Sequence, residues 1–267
     1  MADATGRTGS SAVTAPAARR IGLLGGTSWE SSATYYALLN RGARDVLGGA
    51  HSADLVLRSV DFAEIEALQV AGDWAALGRR YAAEAAALVE AGARVLGILA
   101  NTMHLVHDDV VRGAGGRAEV VHVVDAVADA AVAAGHTRVG LLGTRYTMQS
   151  AELYPARLAP RGIDVVVPGP DDADEVHRVI YAELVQGEVR ESSRRAYLEI
   201  IERLADAGAQ AVVLGCTELS LLLDAQDPAA APVPLLDSTS LHAAALLDAA
   251  FAPVRTQQPV LEEEGAA

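Results

Sequence analysis

Apolar positions along the chain follow two alternating rhythms. Short runs such as Ile21–Leu24, Val95–Leu99, Val139–Leu142 and Ala211–Leu214 break off at glycines or small polar residues, as buried parallel strands feeding tight turns do. Between them, apolar residues at helical spacing predict helices from about Ser31 and over Trp74–Glu90, Val124–Ala134, Ser193–Ala207 and Leu241–Ala250. Strands and helices in alternation predict an α/β fold of parallel sheets covered by helices.

The pattern also repeats. Val139–Thr144 echoes Ile21–Gly26 at an offset of 118 residues, and Gly92-Ala93, an apolar run and Ala100-Asn101-Thr102 match Gly208-Ala209, an apolar run and Cys216-Thr217 at an offset of 116. Tyr81 and Tyr197, Leu88 and Leu204, and Glu90 and Asp206 fall into that second register. Two similar lobes follow, each a parallel β-sheet flanked by helices, related by a pseudo-twofold axis. The expected boundaries are a disordered leader over 1–20, a first lobe over 21–122, a second over 123–238, a helix over 239–252 that packs back on the first lobe, and a disordered, Glu-rich tail over 253–267. Ligands of open α/β sheets bind beyond the carboxyl ends of strands. Ala100 and Cys216 are equivalent ends of that kind, expected to face each other across a cleft.

Charge narrows the range of partners. The formal net charge is −14, which leaves no basic surface to follow a phosphate backbone, so a nucleic-acid partner is not expected. No apolar run approaches the roughly 18 residues of a membrane span, and the first twenty residues hold no signal-peptide core. A cytoplasmic location follows by default. The chain contains no lysine, which excludes a pyridoxal-phosphate Schiff base and a P-loop lysine. With one cysteine and no Cys/His cluster of zinc spacing, neither a disulfide nor a structural metal is expected.

Cys216 is the first candidate for chemistry. It follows a strand and precedes a predicted helix, Glu218–Leu223, whose free N–H groups would lower the thiol pKa; an inert buried thiol is the alternative. Thr27, Ser28, Asn101, Thr102, Thr144, Thr147 and Thr217 all fall beyond strand ends, where hydroxyls and N–H groups can hold a substrate carboxylate, and Glu218 completes the candidate binding set. His104 lies one helical turn from Ala100, either approaching the cleft or sitting on a helix surface. His104, His107, Asp108 and Asp109 lack a further ligand, so no metal site is assigned. Arg58, Arg145 and Arg178 are the basic candidates for an anionic substrate.

Six ordered motifs carry a resemblance: G-G-T-S-W-E-S at Gly25–Ser31 (with Tyr35, Tyr36 and Asn40 downstream), L-G-G-A-H-S-A at Leu47–Ala53, S-V-D-F-A-E-I at Ser59–Ile65, N-T-M-H at Asn101–His104, G-L-L-G-T-R-Y-T-M at Gly140–Met148 and G-C-T-E at Gly215–Glu218. The chain resembles the aspartate/glutamate racemase family, in particular its broad-specificity amino-acid racemase branch. The resemblance implies a homodimer of two-lobed chains, an amino-acid or dicarboxylate substrate, no cofactor, and one acid/base residue from each half. Cys216 matches the second of these. The first is normally Cys or Thr, and here it is Ala100. Some relatives also carry a lysine where this chain has Gln186.

A methyl group neither takes nor gives a proton, and loss of one such group typically costs about 10²- to 10⁴-fold in rate. Thr102, His104 or a water held by Asn101 are the candidates to stand in. The expected function is a cofactor-independent amino-acid racemase or epimerase; the alternatives are a single-cysteine decarboxylase of substituted malonates, resembling the arylmalonate decarboxylases, and a non-catalytic binding homologue.

Overall fold

The computed structural model describes residues 18–252 except 228 and 230, so the expectations for the leader and tail fall largely outside the described residues. Strands β1 (Ile21–Gly25), β2 (Leu55–Ser59), β3 (Val95–Ile98) and β4 (Glu119–Val121) form one sheet in the order β2-β1-β3-β4. Strands β5 (Arg138–Gly143), β6 (Asp164–Val166), β7 (Ala211–Gly215) and β8 (Leu235–Asp237) form a second in the order β6-β5-β7-β8. Every pairing in both sheets is parallel. The starts of β3 and β7, and of β4 and β8, are 116 residues apart, so the repeat read from the sequence is a repeat of structure. Arg20, at the end of the expected leader, already belongs to the fold, since its carbonyl accepts the N–H groups of Arg94 and Val95.

The helices are α1 (Trp29–Leu47), α2 (Phe62–Ala71), α3 (Trp74–Glu90), α4 (His107–Ala114), α5 (Val123–Ala133), α6 (Arg145–Met148), α7 (Tyr154–Leu158), α8 (Pro170–Ala182), α9 (Glu191–Asp206), α10 (Leu219–Leu222) and α11 (Ser238–Phe251). Their starts follow local chemistry. Ser28 accepts the Ser31 N–H at the head of α1, Asp73 that of Ala76 at α3, and Asp237 those of Thr239 and Ser240 at α11. Each such cap is worth about 1 kcal/mol. At the turn after β1, Gly26 has φ +96°, and an added Cβ would lie 2.2 Å from the Val60 carbonyl oxygen; only glycine fits there.

The lobes exchange helices. Helix α5 follows β4 of the first sheet but buries Val123, Val124, Val127 and Ala131 in the core built on β5 and β7. Helix α11 follows β8 of the second sheet but buries Ala243, Leu246 and Ala250 with Ile21, Leu23, Tyr35 and Leu39 of the first. It lies so close to β3 that a Cβ on Gly97 would meet Leu246 at 2.7 Å. His242, fully buried on α11, fastens this arrangement: its Nδ1 bonds to the Tyr35 hydroxyl at 2.9 Å and its Nε2 to the Val121 carbonyl at 3.0 Å. Each lobe therefore stabilises its neighbour, and the strand ends that meet between them are held by packing from both sides.

Candidate active site

The residues just past the carboxyl ends of β1, β3, β5 and β7 meet in a single cleft. Thr27 and Ser28, Ala100 to Met103, Thr144, and Gly215 to Glu218 line it, with Phe62 and Gln69 of α2, Ile180 and Tyr181 of α8, and Val185. Counting its open mouth, the space is about 480 Å³. Ala100 and Cys216 both face it, as their equivalence across the repeat requires.

Glu218 organises the second-lobe side. Its carboxylate is 5% exposed and accepts Cys216 Sγ at 2.9 Å and Thr217 Oγ1 at 2.8 Å on Oε2, and Ser28 Oγ at 2.7 Å and Ser31 Oγ at 3.3 Å on Oε1. Ser31 and Thr217 also bond directly. No cationic side chain is among these partners. The thiol accordingly behaves opposite to the expectation of a lowered pKa: burial and the neighbouring Glu218 carboxylate push Cys216 well above the ordinary thiol value. The predicted helix at Glu218–Leu223 is only the single turn α10, too short to offset burial beside an anion. At rest Cys216 is a protonated thiol donating to a carboxylate.

A hydroxyl cluster joins the two lobes at the cleft. Thr102 Oγ1 lies 2.8 Å from Thr144 Oγ1 and 3.1 Å from Thr147 Oγ1, which are 3.2 Å from each other. Thr144 caps α6. Because hydroxyls both donate and accept, these can turn toward a carboxylate entering the cleft. Thr147 is fully buried behind the other two and supports them. Thr27 Oγ1 is buried without a partner.

Asn101 is placed differently from a water-holding residue. Its Oδ1 accepts the Tyr154 hydroxyl at 2.7 Å and its Nδ2 donates to Ser238 Oγ at 3.0 Å, so its amide ties the first lobe to the second. His104 is also unavailable to substrate. Its Nε2 accepts the Val123 N–H at 3.2 Å, which leaves Nδ1–H to donate to the Ala100 carbonyl at 3.0 Å. Burial holds it neutral, with its pKa well below the usual imidazole value. His104 turns away from the cleft into a separate polar pocket with His107, His122 and Arg157, where it is neither a partner of Cys216 nor a helix-surface residue. Its connection to the cleft is the carbonyl of Ala100.

The arginines proposed for an anionic substrate are engaged elsewhere. Arg58 pairs with Glu84, Arg145 with Asp174, and Arg178 with Glu175 and Glu183, and none lines the cleft. Gln186 is exposed, whereas the adjacent Val185 reaches the site. Gln69, Ile180, Tyr181 and Val185 are lining residues that no motif marked, whereas Phe62 falls within the S-V-D-F-A-E-I string. The one available signal was Gln69, a polar residue four positions after Ile65 on the buried face of α2. Among the described residues, no group of three or more His, Cys, Asp and Glu side chains is arranged to hold a metal, and no helix is long and apolar enough to cross a membrane.

Known proteins resemble this chain at both levels. The family model for Asp/Glu/Hydantoin racemase matches residues 24–246. A Yersinia pestis protein assigned as an Asp/Glu racemase shares 42% identity with a TM-score of 0.80, over 88% of this chain and 100% of that one. An aspartate racemase homologue from Pyrococcus horikoshii shares 32% identity with a TM-score of 0.75, over 88% of this chain and 100% of that one. An uncharacterised protein from Pectobacterium carotovorum is 34% identical over 46% of this chain and 79% of its own length. With the two-sheet fold and the cleft between strand ends, these matches establish that the chain belongs to the Asp/Glu/Hydantoin racemase family.

Proposed function

We propose that this protein is an amino-acid racemase or epimerase, independent of pyridoxal phosphate, in which Cys216 and Glu218 together move the Cα proton on one face. The carrying observation is the 2.9 Å contact of Cys216 Sγ with the buried Glu218 carboxylate, at a cleft that Ala100 also lines. Substrate binds with its carboxylate on the Thr102 and Thr144 hydroxyls and its Cα beside Cys216. Glu218 takes the thiol proton, and the thiolate removes the α-proton to leave a planar carbanion whose negative charge spreads into the carboxylate. The hydroxyls that hold the carboxylate strengthen their bonds as that charge develops.

Return of a proton to the opposite face is the difficult half. Ala100 offers none, so the donor is a water admitted where a thiol side chain would stand. Such an enzyme is slower than one with two thiols, by about the 10²- to 10⁴-fold that one acid/base group is worth. In the reverse direction water removes the proton, and Cys216, restored by Glu218, supplies one.

Ala100 also favours a second reading. A decarboxylase of a substituted malonate generates its carbanion by losing CO₂ and needs one proton donor, a role that a neutral thiol at Cys216 suits. Incubation with L- and D-amino acids and with aminomalonate in D₂O separates the readings. Deuterium at Cα with inversion supports the racemase, CO₂ release with one-sided deuteration supports the decarboxylase, and neither with any substrate overturns both in favour of a binding homologue.

A further inference from the structure

We propose that Tyr181 is a further catalytic residue, whose hydroxyl donates a hydrogen bond to the substrate carboxylate and strengthens that bond as negative charge builds in the planar intermediate. This role rests on a cleft that generates a carbanion beside a carboxylate, the step that the racemase and decarboxylase readings share.

Tyr154 and Tyr197, both fully buried in the second lobe, spend their hydroxyls inside the protein. The first donates to Asn101 Oδ1 at 2.7 Å and the second to the Val176 carbonyl at 2.8 Å. Tyr181 differs. It lines the cleft with Thr144, Cys216 and Glu218, and its hydroxyl meets no hydrogen-bonding partner among the described residues. Its ring is nonetheless fixed: it packs on His177 with centroids 4.7 Å apart, and His177 in turn packs on Tyr146 and accepts the Arg145 N–H on Nδ1 at 3.2 Å. A donor positioned in advance and unpaired within the protein suits a developing anion, because no internal bond has to break before it acts.

Burial first, and then the neighbouring Cys216, raise the phenol above the ordinary tyrosine value. It therefore stays protonated and serves as a hydrogen-bond donor, not as a base. The carboxylate is bonded to the Cα that Cys216 deprotonates, so a hydroxyl near the thiol reaches its oxygens. Two threonine hydroxyls leave lone pairs there for a third donor. The chain has no lysine, and among the described residues none lining the cleft is an arginine, so neutral donors meet the charge of the intermediate.

The test is Tyr181→Phe in the full-length protein, which keeps the ring against His177 and removes a hydroxyl that nothing internal uses. Its melting temperature is expected to match the wild type, while kcat for α-deuterium exchange, or for CO₂ release from aminomalonate, falls about 10²-fold and KM changes far less. A loss confined to KM, or no loss, overturns the inference and leaves the reaction itself standing. A lowered melting temperature also overturns it, by revealing an internal partner for the hydroxyl. If the wild-type protein turns over neither class of substrate, the proposed reactions fail and binding decides the inference separately. The probe is then pyrrole-2-carboxylate, whose planar carbon beside a carboxylate imitates the intermediate. Calorimetric binding weakened at least about 10-fold in Tyr181→Phe supports the inference, whereas equal binding, or none by either protein, overturns it.

Discussion

Cys216 Sγ and Glu218 Oε2 lie 2.9 Å apart, two residues apart in the chain, in a site where the carboxylate has no cationic partner. A buried carboxylate beside a thiol keeps the thiol protonated, so at rest the proton stays on Cys216.

The pair makes the thiol's reactivity depend on its neighbour. Since burial and Glu218 raise the Cys216 pKa, iodoacetamide should label the protein slowly at neutral pH, with a rate still climbing above pH 9. Glu218→Gln removes the neighbouring charge and should speed labelling at pH 8 while lowering α-proton exchange by about 10²- to 10⁴-fold. Opposite movement of the two readouts is the signature of the pair, because a merely unfolded variant would be labelled quickly and also lose its circular dichroism. Rapid labelling of the wild-type protein at pH 7 would contradict the raised thiol.

Ala100 tests the other face. On the racemase reading, Ala100→Cys supplies the absent acid/base and should raise racemisation by about 10²-fold or more. On the decarboxylase reading the same thiol would protonate the second face and erode the enantiomeric purity of the product. Chiral chromatography of both reactions distinguishes the outcomes, and a variant that alters neither rate nor stereochemistry shows that Ala100 is not the opposing position.

The buried histidines make the fold sensitive to acid. His242 is lowered from the usual imidazole value to about 4, chiefly by burial, and His104, His107 and His122 are lowered for the same first cause. The folded protein keeps them neutral while the unfolded chain protonates them near pH 6.5. Their contribution to stability is therefore intact above that value and is lost as pH falls below it. For His242 alone the loss between pH 7 and pH 5 is about 2 kcal/mol. Denaturant unfolding at the two pH values should show at least this difference, and His242→Gln should reduce it. Equal stability at pH 7 and pH 5 would show that these groups are not held neutral by the fold.

Much of the architecture was legible because it repeats. Parallel strands buried on both faces must be continuously apolar, and the offset of 116 residues carried β3 onto β7 and Ala100 and Cys216 into one cleft. The G-C-T-E and N-T-M-H strings marked the two strand ends on which the cleft is built. His104 shows where such reading stops. Its separation from Ala100 was compatible with a place in the cleft, but the chain after Asn101 makes a 3₁₀ turn that carries the ring to the Val123 N–H behind it.

The sequence by itself determined the fold class, the repeat, and the places of Cys216 and Ala100 at equivalent strand ends, because these depend on residue identity and on spacing along one chain. Tertiary structure alone decided that Cys216 donates its thiol proton to the Glu218 carboxylate, that Asn101 and His104 brace the lobes, and that Phe62, Gln69, Ile180, Tyr181 and Val185 line the cleft. Those outcomes depend on which side chains from distant elements are desolvated together. Burial strengthens each bond and charge there, and no local pattern along the chain records which groups will share that buried space.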